Sequence, residues 1–396
     1  MHTVTNKKED CSGCGACTHI CPKKCIAMRE DAEGFLYPFI DKSACINCRL
    51  CNNVCPVLSP LPQKRKTAKT YIVQNKDEQV RRESTSGGAF SAIAEHIIGL
   101  GGKVWGVCLD ENFTAKHTYA ENSAQLAAFR GSKYSQSELG NTFLEVKNAL
   151  LADQWALFSG TPCQVEGLLR YLGGDKEKLI TVDVVCHGAP SPRVFKKYVE
   201  YQRQKTGEFD KLLFRDKYSG YTHTTMSLYK DGKCLYHNGL EYDPMLKLYF
   251  KTLISRPSCG KCMFKKINRA SDFTLWDCYD VEKMDKSFDD NKGTSNVMLH
   301  TQKAEAIFEE IKKNFKYAPT NAMQVCTQSV EMTQSHLPHK KRHQFFCDLN
   351  KMEAKDLFKK WCPVTIGVLF NKKMRELLAY TGLYARVRQL AWKIKK

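Results

Sequence analysis

Two stretches near the start of the 396-residue chain repeat one spacing of cysteines. The first is Cys11-Ser-Gly-Cys14-Gly-Ala-Cys17-Thr-His-Ile-Cys21-Pro22 and the second, 34 residues on, is Cys45-Ile-Asn-Cys48-Arg-Leu-Cys51-Asn-Asn-Val-Cys55-Pro56. Both read C-x2-C-x2-C-x3-C-P. Steps of two let three thiolates of a short loop converge on one face of an iron-sulfur cubane, while the fourth, just before proline, turns away to the other cubane. The spacing predicts two 4Fe-4S clusters, one on Cys11, Cys14, Cys17 and Cys55 and the other on Cys45, Cys48, Cys51 and Cys21. Gly13 and Gly15 allow the tight loop, and each proline stops a helix from running through the last ligand. The alternative, a pair of structural zinc sites, has no use for the third C-x2 step or the repeated x3-C-P ending. Cys25 stands outside the pattern and reads as a small packed thiol.

Four more cysteines fall at expected strand ends or in loops: Cys163 in Gly160-Thr-Pro-Cys163-Gln164, Cys186 in Val185-Cys186-His187-Gly188, and the pair Cys259-Gly-Lys-Cys262. Four is the right number for a third 4Fe-4S cluster, with zinc or unconnected thiols as alternatives. Cys163 lies near an expected helix start, where the dipole favours thiolate. His187 has the chemistry of a ligand or proton carrier, against the ordinary reading of a hydrogen-bonded side chain. Cys108, Cys234, Cys278, Cys326, Cys347 and Cys362 show no ligand spacing and read as buried thiols. Glu83-Ser-Thr-Ser86-Gly87-Gly88 precedes an apolar helix, so its backbone N–H groups form a candidate phosphate cradle, against an ordinary serine cap with a glycine turn. No G-x-G-x-x-G follows a strand, and Gly99-Leu-Gly101-Gly102 suits a helix C-cap, so a Rossmann dinucleotide site is not expected.

The elements that must hold these groups are legible as apolar runs. Strands are expected at 71–73, 103–109, 155–159 and 179–186, with helices at 89–100, 140–151 and 162–172 between them. Residues 211–214 add a strand, and 224–236 a hairpin turned at Asp231-Gly232. This alternation predicts an α/β fold, a mixed sheet with flanking helices, behind a small α+β ferredoxin-like unit. Hydrophobic residues make up 42% of the chain, enough for a sizeable core. Sixty-one Lys and Arg against 42 Asp and Glu leave a net charge of +19, which favours acidic partners without choosing among them. Nineteen cysteines are too few for a disulfide scaffold and come without an apolar signal segment at the start, so metal ligation and a cytoplasmic location are expected. No run approaches the roughly 20 apolar residues of a membrane span.

The first segment resembles bacterial-type dicluster ferredoxins. The series Ser84-Thr-Ser86-Gly87-Gly88-Ala-Phe90, Arg130-Gly-Ser132-Lys133-Tyr134-Ser-Gln136-Ser137, Phe158-Ser-Gly160-Thr-Pro-Cys163-Gln164, Asp183-Val-Val-Cys186-His187-Gly188 and Lys292-Gly-Thr-Ser295 resembles the family of beta subunits of coenzyme F-420 hydrogenases and dehydrogenases. The likeness runs from about residue 71 to about residue 330. It implies an oxidoreductase that binds FAD next to a 4Fe-4S cluster and exchanges hydride with an organic substrate. It also implies that Ser86, Gly87 and Gly88 line the FAD phosphates, that Lys133 and Tyr134 lie at the flavin, and that Cys163, Cys186, Cys259 and Cys262 hold the third cluster. Where the family has Gly-Asp-Phe-Trp-Gly, this chain has Trp276-Asp277-Cys278-Tyr279-Asp280 and keeps only the Asp, so its substrate pocket is expected to differ.

The expected domains are a dicluster unit (1–58), a Pro-rich basic linker (59–70), a flavin-binding part (71–155), a second beta-subunit part (156–334) and a basic helical extension (335–396). Residues 371–396 set apolar residues among eight Lys and Arg, a pattern that suits an anionic membrane surface, or packing on its own domain or a partner subunit. The expected partner is a redox protein or a small organic electron carrier. Nucleic acid is not expected, because the basic residues form no binding motif. The rival to a flavin enzyme is a non-catalytic electron-transfer subunit serving a partner enzyme.

Overall fold

A computed structural model describes residues 4–5, 7–62, 68–384 and 387. The dicluster unit is built on two antiparallel strands, β1 (Ile26–Glu30) and β2 (Leu36–Ile40), and the short helices Ala16–Ile20 and Leu50–Asn53. Its two cysteine loops take the same left-handed turns. Gly13 and Gly15 have φ of 73° and 75°, and their counterparts 34 residues later, Asn47 and Arg49, have 54° and 59°. Glycine is required in the first loop for a further reason. A Cβ on Gly13 would fall 2.6 to 2.9 Å from the side chains of Gln136 and Arg256, whereas Asn47 and Arg49 are exposed.

The larger unit carries β3 (Lys69–Asn75), β4 (Lys103–Leu109), β5 (Ala115–Ala120), β6 (Ala156–Gly160), β7 (Leu179–Val184), β8 (Lys211–Asp216), β9 (Thr225–Lys230), β10 (Lys233–Asn238), β11 (Phe273–Asp277), β12 (Ser295–Leu299) and β13 (Phe315–Thr320). Eight of these form one mixed sheet in the order β13-β3-β12-β11-β7-β6-β4-β5. The β4-β6, β6-β7 and β7-β11 ladders are parallel and the rest antiparallel. The sheet draws strands from both sides of residue 155. β8, β9 and β10 form a separate antiparallel sheet, in which Asp231 and Gly232 turn the expected hairpin with positive φ. Helices Ala89–Gly99, Thr142–Leu151 and Pro162–Tyr171 fall within a residue or two of their expected limits. Parallel strands at the centre of a sheet are buried on both faces, and β7 accordingly buries every residue from Leu179 to Asp183 and β6 every residue from Ala156 to Phe158.

The extension is partly core. Helices Arg342–Leu349 and Ala354–Trp361 bury Phe345, Phe346, Leu357 and Phe358 with Phe195 and Tyr198 of helix Pro192–Thr206 and with Phe35 of the dicluster unit. The next helix, Ile366–Tyr380, buries nothing. It meets the body through charged side chains, Arg375 on Glu241 and Lys372 over the Tyr242 ring, and turns Ile366, Phe370, Leu377 and Tyr380 to solvent. These four apolar residues do not pack on their own domain, while Val368, Leu378 and Ala379 are half-buried. Most of the rest of the expected 371–396 helix, residues 385–386 and 388–396, lies outside the described residues, as do 63–67 of the basic linker. No helix among the described residues is long and apolar enough to cross a membrane. Of the six cysteines expected to be buried, Cys278, Cys326 and Cys362 are, Cys108 and Cys234 are half-buried, and Cys347 is exposed on the outer side of its helix with His343 Nε2 3.6 Å from its Sγ.

Candidate iron-sulfur and cofactor centre

The eight cysteines of the repeat separate into two neighbourhoods. Burial pushes the Cys14 thiol up to about 12, with Cys55 and Cys11 adding to the shift, and Cys17 is raised by burial and by Cys14, Cys11 and Cys55. Cys51 has Cys48 and Cys45 beside it. Cys21 lies 3.4 Å from Cys25, which in turn neighbours Cys45. Cys55 thus neighbours the first loop, and Cys21 neighbours Cys25, which neighbours Cys45. Cys25 is buried, as expected of a packed thiol, yet it packs on the second group itself.

The four later cysteines come together from three places. Cys163 stands in the first turn of helix Pro162–Tyr171, whose entry is fixed by Pro162 at its start and by Gln164, which accepts the Thr161 N–H at 3.0 Å. Cys186 follows β7, and Cys259 and Cys262 belong to the tight turn Pro257–Lys261 and its end. Burial pushes Cys163 well above the ordinary thiol range, with Cys262 and Cys186 adding to it, and holds Cys186 at about 12 beside Cys259 and Cys262. Four converging, desolvated thiols with Lys265 and Arg269 close by form a poor environment for free thiolates and a suitable one for metal-bound sulfur.

The two sets of thiols adjoin. Gly167, one turn after Cys163, faces the first loop so closely that a Cβ there would lie 3.0 Å from Cys14 Cβ and Sγ. Buried Arg256 fastens the units: its Nε donates to Cys11 O at 2.7 Å, Nη1 to Gln136 Oε1 at 3.0 Å and Nη2 to Leu36 O at 3.0 Å, with the guanidinium 4.0 Å over the Tyr37 ring. Arg342 of the extension adds a bidentate pair to Glu33 at 2.6 and 2.7 Å.

A single cavity of about 700 Å³ is walled by all four of the later cysteines and by Ser84, Thr85, Ser86, Gly88, Lys133 and Tyr134. That size falls within the range of small-molecule and cofactor sites. The N-terminus of helix Ala89–Gly99 opens into it, capped by Gly88 at φ 81° with no side-chain acceptor, so first-turn N–H groups face the space. Gly87 does not reach the wall. Its N–H donates to Ser295 Oγ at 2.8 Å, and a Cβ would fall 2.3 Å from Val73 O, so glycine here serves the approach of the loop to β3 and β12. The Ser86 hydroxyl donates to Thr294 O at 2.6 Å. Lys133 Nζ donates to Ala128 O and Arg130 O, and burial lowers its ammonium to about 7. Tyr134 packs on Phe214 and Tyr249.

Sequence reasoning missed Arg215. It is held by Asp277, the one residue kept from the family stretch, which also accepts from Tyr221 OH at 3.1 Å. Arg215, Trp276, Asp277 and Tyr279 line the cavity, and Arg215 Nη2 is buried with no partner among the described residues. Nothing in the local sequence around Arg215 marks it, because its partner is 62 residues away.

Residues 10–58 match the 4Fe-4S dicluster domain, and residues 153–323 match the family described as the C terminus of the coenzyme F-420 hydrogenase/dehydrogenase beta subunit. The F subunit of F(420)H(2) dehydrogenase from Methanosarcina mazei is 24% identical over 186 residues, 43% of this chain and 51% of that protein, so the chain spans about half the length of this relative. An uncharacterized ferredoxin of Methanocaldococcus jannaschii is 35% identical over 69 residues, 17% of this chain and 88% of that protein. A chain of the F-420-reducing NiFe hydrogenase complex of Methanosarcina barkeri superposes with a TM-score of 0.45 at 15% identity, covering 78% of this chain and 96% of that one.

Proposed function

From the match of residues 153–323 to the C terminus of the coenzyme F-420 hydrogenase/dehydrogenase beta subunit, with a 4Fe-4S dicluster domain in front, we propose an FAD-dependent oxidoreductase that exchanges hydride with a small organic molecule. The observation that carries this reading is the cavity shared by the four-thiol group, an open helix N-terminus, Lys133 and Tyr134. Cys11, Cys14, Cys17 and Cys55 would hold one cluster, Cys45, Cys48, Cys51 and Cys21 a second, and Cys163, Cys186, Cys259 and Cys262 a third. The close approach of Gly167 to Cys14 supports a short path for single electrons from the first of these clusters to the third.

FAD, when bound, accepts or releases one or two electrons and so joins one-electron carriers to hydride chemistry. The N–H groups at the start of helix Ala89–Gly99 suit its phosphates. Ser86 and Gly87 support that loop from behind, fixing its distance from β12. Arg215 offers Nη2 to an oxygen or anionic group of the ligand, with Asp277 holding its orientation. An anion beside Lys133 would restore the charge that burial suppresses.

Anaerobic purification should yield about twelve irons and one FAD per chain, as three four-iron clusters require. Iron without flavin would favour the rival, an electron-transfer subunit with no chemistry of its own. In Lys133→Ala we expect FAD affinity to fall roughly tenfold, as loss of about 1.5 kcal/mol of charged interaction implies, with iron content unchanged. Equal flavin content and potential in that variant would remove Lys133 from the site.

For the partner we assign the outward apolar face of helix Ile366–Tyr380, followed by the basic sequence to residue 396, to an anionic membrane surface. Deleting 366–396 should abolish co-pelleting with phosphatidylserine vesicles and leave the iron count intact. Undiminished pelleting, or none by the full chain, would turn the assignment toward a protein partner.

A further inference from the structure

Glu331 and His336 stand five residues apart, and His187, next to Cys186, lies 144 residues before Glu331, yet the three meet at one edge of the cavity. His187 Nδ1 is 3.3 Å and His336 Nε2 3.1 Å from the same oxygen, Glu331 Oε1, and the three ligand atoms all fall within 4.8 Å of one another. A charge-assisted N–H···O bond is ordinarily about 2.7 to 2.9 Å. Metal bonds of about 2.0 to 2.2 Å at angles between octahedral and tetrahedral place neighbouring ligand atoms about 2.9 to 3.4 Å apart. The two spacings to Glu331 Oε1 suit the second description as well as long hydrogen bonds, and the remaining pair lies within 4.8 Å.

The surroundings favour the second description. The His187 side chain is nine-tenths buried, and its Nε2 has no partner among the described residues, so hydrogen bonding within the protein does not satisfy the ring. Its ring is braced by Tyr249, Phe250 and the His336 ring, the last at 4.4 Å between centroids. Ser335, one residue before His336, accepts the Cys262 N–H at 2.9 Å, which ties this segment to the four-thiol group. His187 and Glu331 belong to the cavity wall and His336 does not. A cation held by all three would therefore leave its remaining coordination position toward the cavity, the open arrangement of catalytic rather than structural sites.

We propose that His187, Glu331 and His336 bind one divalent transition-metal ion of the zinc class, with an open position that takes an oxygen ligand in the cavity. Two histidines and one carboxylate are a donor set suited to zinc or iron(II), and distinct from the all-thiolate sets beside it. The site stands whether or not flavin occupies the same space.

The test uses the full chain, purified anaerobically with iron and sulfide counted, then exposed to cobalt(II) and passed over a weak chelator resin. Wild type should keep one cobalt per chain, with the weak absorption of nitrogen and oxygen ligands. His336→Ala, a change at a half-exposed side chain, and Glu331→Gln, which preserves shape, should each keep the iron count and bind cobalt roughly tenfold or more weakly. Equal cobalt binding in wild type and both variants, no binding by wild type, or the intense band of thiolate-bound cobalt would each overturn the proposal.

Discussion

Cys186→Ser is expected to remove about four of about twelve irons and to leave the N-terminal eight in place. Cys186 has Cys259 and Cys262 as neighbours, and Cys163 has Cys262 and Cys186, all in the cavity wall. A hydroxyl in place of the thiolate loses the soft ligand that iron-sulfur cubanes use, and the three remaining thiols have no other partner set to complete. The dicluster thiols belong to separate loops with their own neighbours, so their iron should survive. Reduced flavin is then the sensitive readout. Electrons supplied to the dicluster unit should no longer reach FAD, and flavin bleaching after a reductant pulse should fall to background. Loss of zinc with iron unchanged would show that the four thiols hold zinc instead, and an unchanged metal count would mean that they hold nothing together.

The candidate centre was legible in the sequence where chemistry depends on spacing along the chain. Three thiols two residues apart report a cubane because the loop that holds them is local, and the crossing of Cys21 and Cys55 follows from the same geometry. β4, β6 and β7 were legible because central strands are mostly apolar, here with only Lys103, Ser159, Thr181 and Asp183 interrupting. β5, β11, β12 and β13 were not. β5 sets His117 and Tyr119 among Lys116 and Thr118, and β11 ends on Asp277, so neither reads as a plain strand. β5 pairs its sequence neighbour β4, whereas β12 and β13 take their places by pairing β3, far off in sequence, with the paired residues of β12 and β3 more than 220 positions apart. Arg215, Gly87 and His336 were illegible for the same reason. The first is identified by Asp277, the second by the backbone of Val73 and Ser295, and the third by Glu331 and His187 in the folded chain. The inverted helix Ile366–Tyr380 also has no local sign, since its amphipathic pattern is equally compatible with facing the core.

Arg256→Met should loosen the dicluster unit from the body and lower the potential of the cluster on Cys11, Cys14, Cys17 and Cys55. The guanidinium is buried and spends its fork on Cys11 O, Leu36 O and Gln136 Oε1, while its flat face covers Tyr37. Methionine fills similar volume but leaves those acceptors unsatisfied in a dry interface. Hydrogen bonds from a charged donor contribute about 1.5 to 3 kcal/mol each and add incompletely, so a loss of about 4 kcal/mol is the expected scale. Lysine would restore charge at a single point without the fork and should recover only part of it. The electrostatic effect is separable from the structural one. Removing a cation bonded to the peptide of a cluster ligand disfavours the more negative, reduced cluster, so its midpoint should move down while that of the Cys45 cluster stays near its original value. Redox titration of the two signals, with proteolysis of residues 59–70 as the measure of loosening, distinguishes the outcomes. A variant with both midpoints and cleavage rate unchanged would mean that the remaining contacts, Arg342 on Glu33 and Arg170 on Asn53 O, are enough to fix the clusters against the cavity.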